Sequence, residues 1–290
     1  MSIDGLTIIG ESINDSVPST HKLFDENDIE GIIELARFQA ENGAAYIDVN
    51  VGLRTPAFMA DLITKIQKAV SVPLSVDTPD PEIAEAGLKA YKPELAGGKK
   101  PILNSISEAR LEMFDLYKTQ PFVPILLATE GANESGAVGM NKTAAQTYGT
   151  AKRMVRIARE RVGDVANGEL IIDPGITPLG SDSEGNFKRL MESIKMVHED
   201  KELTGLNMSV GLSNFTVMLP PKMPDGSPLK GPLESAFLTM AMPFGFNMVI
   251  GSVKRKYQLL DKDHPAMLCL KDVLQLEGFD AVMRVMMYYS

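Results

Sequence analysis

Short apolar runs alternate with longer stretches of helical periodicity from one end of the chain to the other. Eight of the short runs are aliphatic or β-branched and mostly apolar on both faces: Leu6–Gly10, Ala45–Asn50, Pro73–Asp77, Pro101–Ser105, Val123–Thr129, Leu170–Asp173, Met208–Asn214 and Asn247–Gly251. Such runs fit strands of a parallel sheet covered on both sides. Between them apolar residues recur at helical spacing, as in Ile29, Ile32, Ile33, Ala36 and Ala40, or Phe187, Leu190, Met191, Ile194 and Val197. Asp80 and Pro81 have the residue types of an N-cap and first helical position, and Ser105 with Glu108 has capping-box spacing before a fourth helix. Eight strand–helix alternations predict an α/β protein, a (β/α)8 TIM barrel formed by one domain over residues 1–290. A doubly wound open sheet is the rival, but neither G-x-G-x-x-G nor G-x-x-x-x-G-K-[ST] occurs.

Two segments break the rhythm, Glu130–Lys142 after strand five and the Pro- and Gly-rich Phe215–Gly231 after strand seven. Both are expected as loops at the same end of the barrel, where active-site lids sit. Composition narrows the function. With a net charge of −9 and no long Lys/Arg run, nucleic acid and anionic membranes are not expected partners. Cys269 is the single cysteine and falls in an apolar stretch, so no internal disulfide and no multi-cysteine metal site can form. His21, His198 and His264 are scattered, and no resident metal is expected. No signal-like start and no membrane-length apolar run is present, which predicts a cytoplasmic protein.

The strand ends carry the chemistry. In order they read Glu11, Asp48 with Asn50, Asp77, Asn104, Glu130, Asp173, and Ser213 with Asn214. A strand end tolerates Asp or Asn for turn reasons alone. On successive strands of a barrel, however, these positions converge on one mouth. Ionised carboxylates only accept hydrogen bonds, whereas amides do both. The ring therefore suits a ligand with clustered N–H donors, such as a pterin or guanine-like heterocycle, or a divalent cation.

The order of motifs along nearly the whole chain resembles the pterin-binding barrel family. They are Ile9-Gly10-Glu11-Ser12-Ile13-Asn14, Glu41-Asn42-Gly43-Ala44-Ala45, Ile47-Asp48-Val49-Asn50-Val51-Gly52, Ser75-Val76-Asp77-Thr78, Leu103-Asn104-Ser105, Ile172-Asp173-Pro174, Gly211-Leu212-Ser213-Asn214 and Thr239-Met240-Ala241-Met242. Within that family the resemblance is closest to methyltetrahydrofolate:corrinoid protein methyltransferases. It implies that Asp77, Asn104 and Asp173 hydrogen-bond the pterin, that Asn214 sits by N5, and that Glu11, Asn14, Asp48, Asn50 and Ser213 complete the mouth. Asn14, Asp48 and Ser213 also have a plainer role open to them, satisfying loop backbone groups. Two departures stand out. Lys222 takes the place of the family's arginine after strand seven, with Lys230 as a substitute contact, and a lysine cannot reproduce a bidentate fork. Met140-Asn141-Lys142-Thr143 comes later than in the relatives, which loosens the assignment of Glu130.

The resemblance implies methyl transfer between methylcobalamin on a separate corrinoid protein and N5 of tetrahydrofolate. Methyltetrahydrofolate would form within an O-demethylation system, and a homodimer is expected. Donation from methyltetrahydrofolate to a corrinoid iron–sulfur protein is the reverse alternative. A dihydropteroate synthase-like enzyme is a second; Ser252, Lys254 and Arg255 would be its anion-binding groups. A non-catalytic pterin-binding protein is a third.

Overall fold

The computed structural model describes residues 3–133 and 135–290. In chain order the strands are β1 (Thr7–Asn14), β2 (Tyr46–Asn50), β3 (Leu74–Asp77), β4 (Ile102–Ile106), β5 (Val123–Leu127), β6 (Glu130–Ala132), β7 (Val138–Met140), β8 (Ile171–Asp173), β9 (Asn207–Met208) and β10 (Met248–Gly251). All but β6 and β7 join one parallel sheet in the order β10-β1-β2-β3-β4-β5-β8-β9. The two ends meet through a parallel bridge between Gly211 and Ile250, where the Ile250 N–H donates to Val210 O at 3.0 Å. Asn247 reinforces that closure: its Oδ1 accepts from Met208 N at 3.2 Å and its Nδ2 donates to Asn207 Oδ1 at 2.9 Å. The expected (β/α)8 barrel is therefore the fold, and each barrel strand overlaps one of the eight apolar runs, β9 at Met208 alone.

The helices surround the sheet: α1 (Pro18–Asp25), α2 (Ile29–Glu41), α3 (Pro56–Ala69), α4 (Pro81–Ala90), α5 (Ala144–Val162), α6 (Asn186–Glu199), α7 (Lys230–Ala241), α8 (Pro265–Val273) and α9 (Gly278–Tyr289). Their starts follow local chemistry. Asp80 accepts from Glu82 N and Ile83 N ahead of Pro81. Thr143 and Gln146 form a full capping box on α5. The fourth helix departs from expectation. It is a 3-10 segment, Leu111–Lys118, without a side-chain cap. Glu108 instead holds Arg153 (Nε–Oε1 2.7 Å) and the backbone of Ala132, because a charge pair outweighs a cap that Ser105, still on β4, is not placed to make.

The two irregular segments take different forms. Most of the first becomes the β6–β7 hairpin, anchored to the barrel by Glu108, while the second runs as turns with one bridge between Lys222 and Pro228. Strand seven is cut short: β9 ends at Met208, and Leu212–Thr216 is a 3-10 turn. The helix-facing core is one continuous cluster that includes Ile47, Leu62, Val76, Leu126, Phe187 and Phe237. A second cluster, Ile9, Ile102, Ile125, Ile171, Met248 and Ile250, comes from the opposite strand face and fills the barrel itself.

Candidate functional site

Strand alternation builds the site on top of that inner apolar plug. Side chains two residues apart share a face. On five strands a barrel-facing residue is thus followed by a polar one towards the C-terminal end, Ile9 by Glu11, Tyr46 by Asp48 and Asn50, Ser75 by Asp77, Ile102 by Asn104 and Ile171 by Asp173, whereas on β5 Ile125 is followed by Leu127. The inner face changes from hydrocarbon to carboxylate and amide within one strand repeat. The acids consequently sit where water is scarce, and the charged form is disfavoured.

Asp48 and Asp77 are adjacent and titrate as a pair. Burial, then the charge of Asp77, pushes Asp48 well above the usual carboxylate range; Asp48 is 1% exposed. Of the two it is Asp48 that burial and its neighbour bias most strongly towards the neutral form, in which it can give Asp77 a hydrogen bond. Asp77 is raised as well, by burial, but hydrogen bonds from Asn50 and Asp48 pull it back. Asn50 Nδ2 donates to Asp77 Oδ2 at 2.9 Å while Asn50 Oδ1 accepts from Gly52 N at 2.9 Å, which fixes the amide's orientation. Asn104 Nδ2 lies 3.4 Å from Asp48 Oδ1. These four residues form one linked unit spanning β2, β3 and β4.

Asp173 lies across the mouth on β8. Burial raises it to about 7, against the pull of the Gly175 N–H (2.8 Å to Oδ1) and the charge of Arg189. Arg189 is a buried residue of α6 that holds the turn after the strand. It donates to Thr147 Oγ1 (2.8 Å), Pro174 O (3.0 Å) and Gly175 O (3.3 Å). Gly175 is required there: its φ is +78°, and a Cβ would come within 1.8 Å of Thr129 Cγ2.

Glu11 meets the strand-seven turn. The Ser213 hydroxyl donates to Glu11 Oε1, and burial raises Glu11 to about 7. Asn214 follows on the same turn, exposed, with its N–H on Gly211 O at 3.0 Å. Its amide lies so close over the chain that a Cβ on Gly211 would stand 2.9 Å from Asn214 Nδ2. Asn14 is spent locally, its Oδ1 accepting from Ser16 N (2.9 Å) and Ser16 Oγ (2.6 Å). Glu130 opens the hairpin, and Lys222 is exposed on its loop. Lys230 donates to Val217 O at 3.3 Å.

Several supporting groups were not legible as such in the sequence. Arg189, Glu234 and Tyr257 are buried, yet Arg189 sits in an amphipathic helix where a charge ordinarily faces water, and Glu234 sits in a helix buried nearly all round. The one signal for Glu234 is its place among Leu233, Ala236 and Phe237. Glu234 pairs with Arg255 (Oε2–Nε 3.2 Å), Lys254 lies over the Phe38 ring, and the Ser252 hydroxyl accepts from Lys254 N. Among the described residues no group of three or more His, Cys, Asp or Glu side chains is placed to hold a metal ion, and no helix is long and apolar enough to cross a membrane.

A ring of acceptors over an apolar plug can take a flat heterocycle whose N–H groups pair with Asp77 and Asp173 and whose face meets hydrocarbon. Known proteins agree. The family model described as "Pterin binding enzyme" matches residues 13–251. A methylcorrinoid:tetrahydrofolate methyltransferase from Eubacterium limosum is 30% identical over 260 residues, covering 84% of each chain. Among solved structures, 7,8-dihydropteroate synthase from Vibrio fischeri ES114 superposes with a TM-score of 0.59 at 16% identity, over 94% of this chain and 93% of that one. Dihydropteroate synthase from Xanthomonas albilineans with 4-aminobenzoic acid gives 0.57 at 18% identity, over 98% and 94%. At such identities the structures share the barrel and carry no assignment of reaction.

Proposed function

The chain belongs to the pterin-binding enzyme family, and on that premise we propose that it transfers a methyl group from a corrinoid carried by a partner protein to N5 of tetrahydrofolate. The observation that carries this reading is an amide, Asn214, beside a mouth of carboxylate acceptors, with every histidine engaged elsewhere. His21 pairs with Asp15 and Asp25, His198 packs on Phe244, and His264 caps α8. Methyl transfer to an amine needs no protein nucleophile. It needs orientation and a polar contact at the reacting nitrogen.

Asp77 and Asp173 would accept from the pterin amide and amino N–H groups, with Asn50, Asp48 and Asn104 fixing Asp77 in place. The apolar plug excludes water from below. Asn214 would contact N5, its amide able to donate or accept as the nitrogen changes state. The corrinoid supplies an activated methyl group and a leaving centre. It would arrive through the open mouth, past the hairpin and the Phe215–Gly231 segment. The same site serves the reverse transfer; the direction that forms methyltetrahydrofolate follows the name of the Eubacterium limosum relative, and an O-demethylation system is our proposal for its setting. Pteroate synthesis is disfavoured because Arg255 is committed to Glu234 and Lys254 to Phe38.

The test is spectroscopic. With this protein and tetrahydrofolate, methylcob(III)alamin should lose its methyl spectrum as methyltetrahydrofolate appears. No change with methylcobalamin or a methylated corrinoid protein would sink the proposal.

A further inference from the structure

We infer that Glu11 is the base that removes the proton from N5 as the methyl group arrives, oriented by the Ser213 hydroxyl. This rests on the methyl-transfer reading above. The balance requires such a base. As the N5–CH3 bond forms, the Co–CH3 bond breaks and leaves its electron pair on cobalt. The N5–H proton must then go to an acceptor beside the nitrogen; in the reverse direction the same group returns it.

The geometry points to Glu11 rather than to the other mouth acids. Asp48 is turned to Asp77, and Asp77 and Asp173 are the acids that the reading above assigns to the N–H groups the pterin keeps. Glu11 stands on β1, joined to the turn that carries Asn214 through the Ser213 hydroxyl on Oε1. Its second oxygen, Oε2, has no hydrogen-bond partner among the described residues, and it is not one of the side-chain atoms sealed from solvent without a partner. One oxygen is fixed and the other is left open for a proton.

The groups packed around it tune rather than neutralise it. Ser213 comes from the strand-seven turn, Glu234 from α7, and Arg255 and Tyr257 from the segment after β10. Glu234 is fully buried, takes Thr216 Oγ1 at 2.5 Å, and faces Arg255 at 3.2 Å. Its charge opposes ionisation of Glu11 while Arg255 favours it; with burial dominating, Glu11 comes to about 7, suited to taking and releasing a proton near neutral pH. Lys230 lies one step further out, near Arg255 and Glu234. Glu234 thus joins Thr216 and Arg255 to the surroundings of Glu11.

The experiment follows kcat at saturating tetrahydrofolate against pH, with methylcobalamin as donor. Under saturation the mouth carboxylates are occupied and the profile reports the bound complex. The wild-type rate should rise with pH through an ascending limb and level off. Glu11→Gln should abolish that limb and lower the plateau about a hundredfold, with tetrahydrofolate affinity by calorimetry kept within about threefold. Glu11→Asp should retain a limb at reduced rate, which shows that the carboxylate and not the fold is at issue. Glu234→Gln should move the limb to lower pH, since a neighbouring negative charge is lost and Arg255 is left to act on Glu11. A Glu11→Gln enzyme with an intact limb overturns the inference, as does one whose rate loss is matched by lost binding. Those outcomes leave methyl transfer standing; a wild-type enzyme that transfers no methyl group overturns both.

Discussion

The side-chain amide of Asn50 donates to Oδ2 of Asp77 across 2.9 Å, with its own oxygen pinned by Gly52 N. Asp77 is thereby held by Asn50 on one side and by Asp48 on the other. Asn50→Ala removes the support, and tetrahydrofolate should bind about five- to tenfold more weakly, as expected for one lost hydrogen bond to a charged group. Asn50→Asp places a second acid against Asp77 and should bind more weakly still. Titration calorimetry at neutral pH checks both.

Asp48 is biased towards the neutral form, so replacing it by a neutral isostere should matter little. Asp48→Asn keeps a donor towards Asp77 and should leave the denaturation midpoint and pterin affinity near wild type, with a stability change below about 1 kcal/mol. Asp48→Ala opens a hole beside Asp77 and removes the donor, at a cost of about 2 kcal/mol. If the two variants were equally damaged, the protonation assigned to Asp48 would be wrong.

Asp173 makes stability and binding pull in opposite directions. Its carboxyl is raised from its ordinary 3.8 to about 7 by burial. Between those values the unfolded chain ionises and the folded one does not, so native stability is fully present below the lower value and lost as pH rises through the upper one. Asp173→Asn cannot ionise in either state. It should therefore be more stable than wild type at pH 8, by up to about 4 kcal/mol, with the advantage shrinking towards pH 4. Pterin N–H donors need the ionised acid. Binding by the wild type should weaken as pH falls through the same range, and the variant should bind poorly throughout. Thermal denaturation and calorimetry in buffers of different ionisation enthalpy measure the two halves.

Arg189 should prove a support for that acid. Arg189→Met deletes the donors to Thr147, Pro174 and Gly175 and the positive charge that counters the burial of Asp173. A loss of about 3 kcal/mol in denaturant unfolding is expected. The pH midpoint of pterin binding should also move upward, which a purely structural residue elsewhere in α6 would not produce.

How far the sequence discloses this site depends on which interaction decides each residue. Asp48, Asn50, Asp77, Asn104 and Asp173 were legible because polar residues interrupt apolar runs at a fixed place, and strand alternation does the rest. The turn holding Ser213 and Asn214 reads as a continued strand; pairing with β10 ends the ladder there, a long-range event that no local pattern announces. Glu108 has capping spacing yet is claimed by Arg153, 45 residues later in the chain. Arg189 sits among helical charges that usually meet water and Glu234 in an apolar stretch, and the packed barrel buries both.

The barrel has a seam. Between β9 and β10 one backbone bridge and the amides of Asn207 and Asn247 stand in for the ladder that joins the other staves. That wall leads directly into the turn carrying Ser213 and Asn214, whereas Asp48, Asp77 and Asn104 hang from strands paired over several residues. The barrel is thus firmly paired where Asp77 would grip a ring and sparsely paired where it would meet the atom that changes hands. A partner pressing on the mouth can reposition the reacting side without loosening the hold on the other.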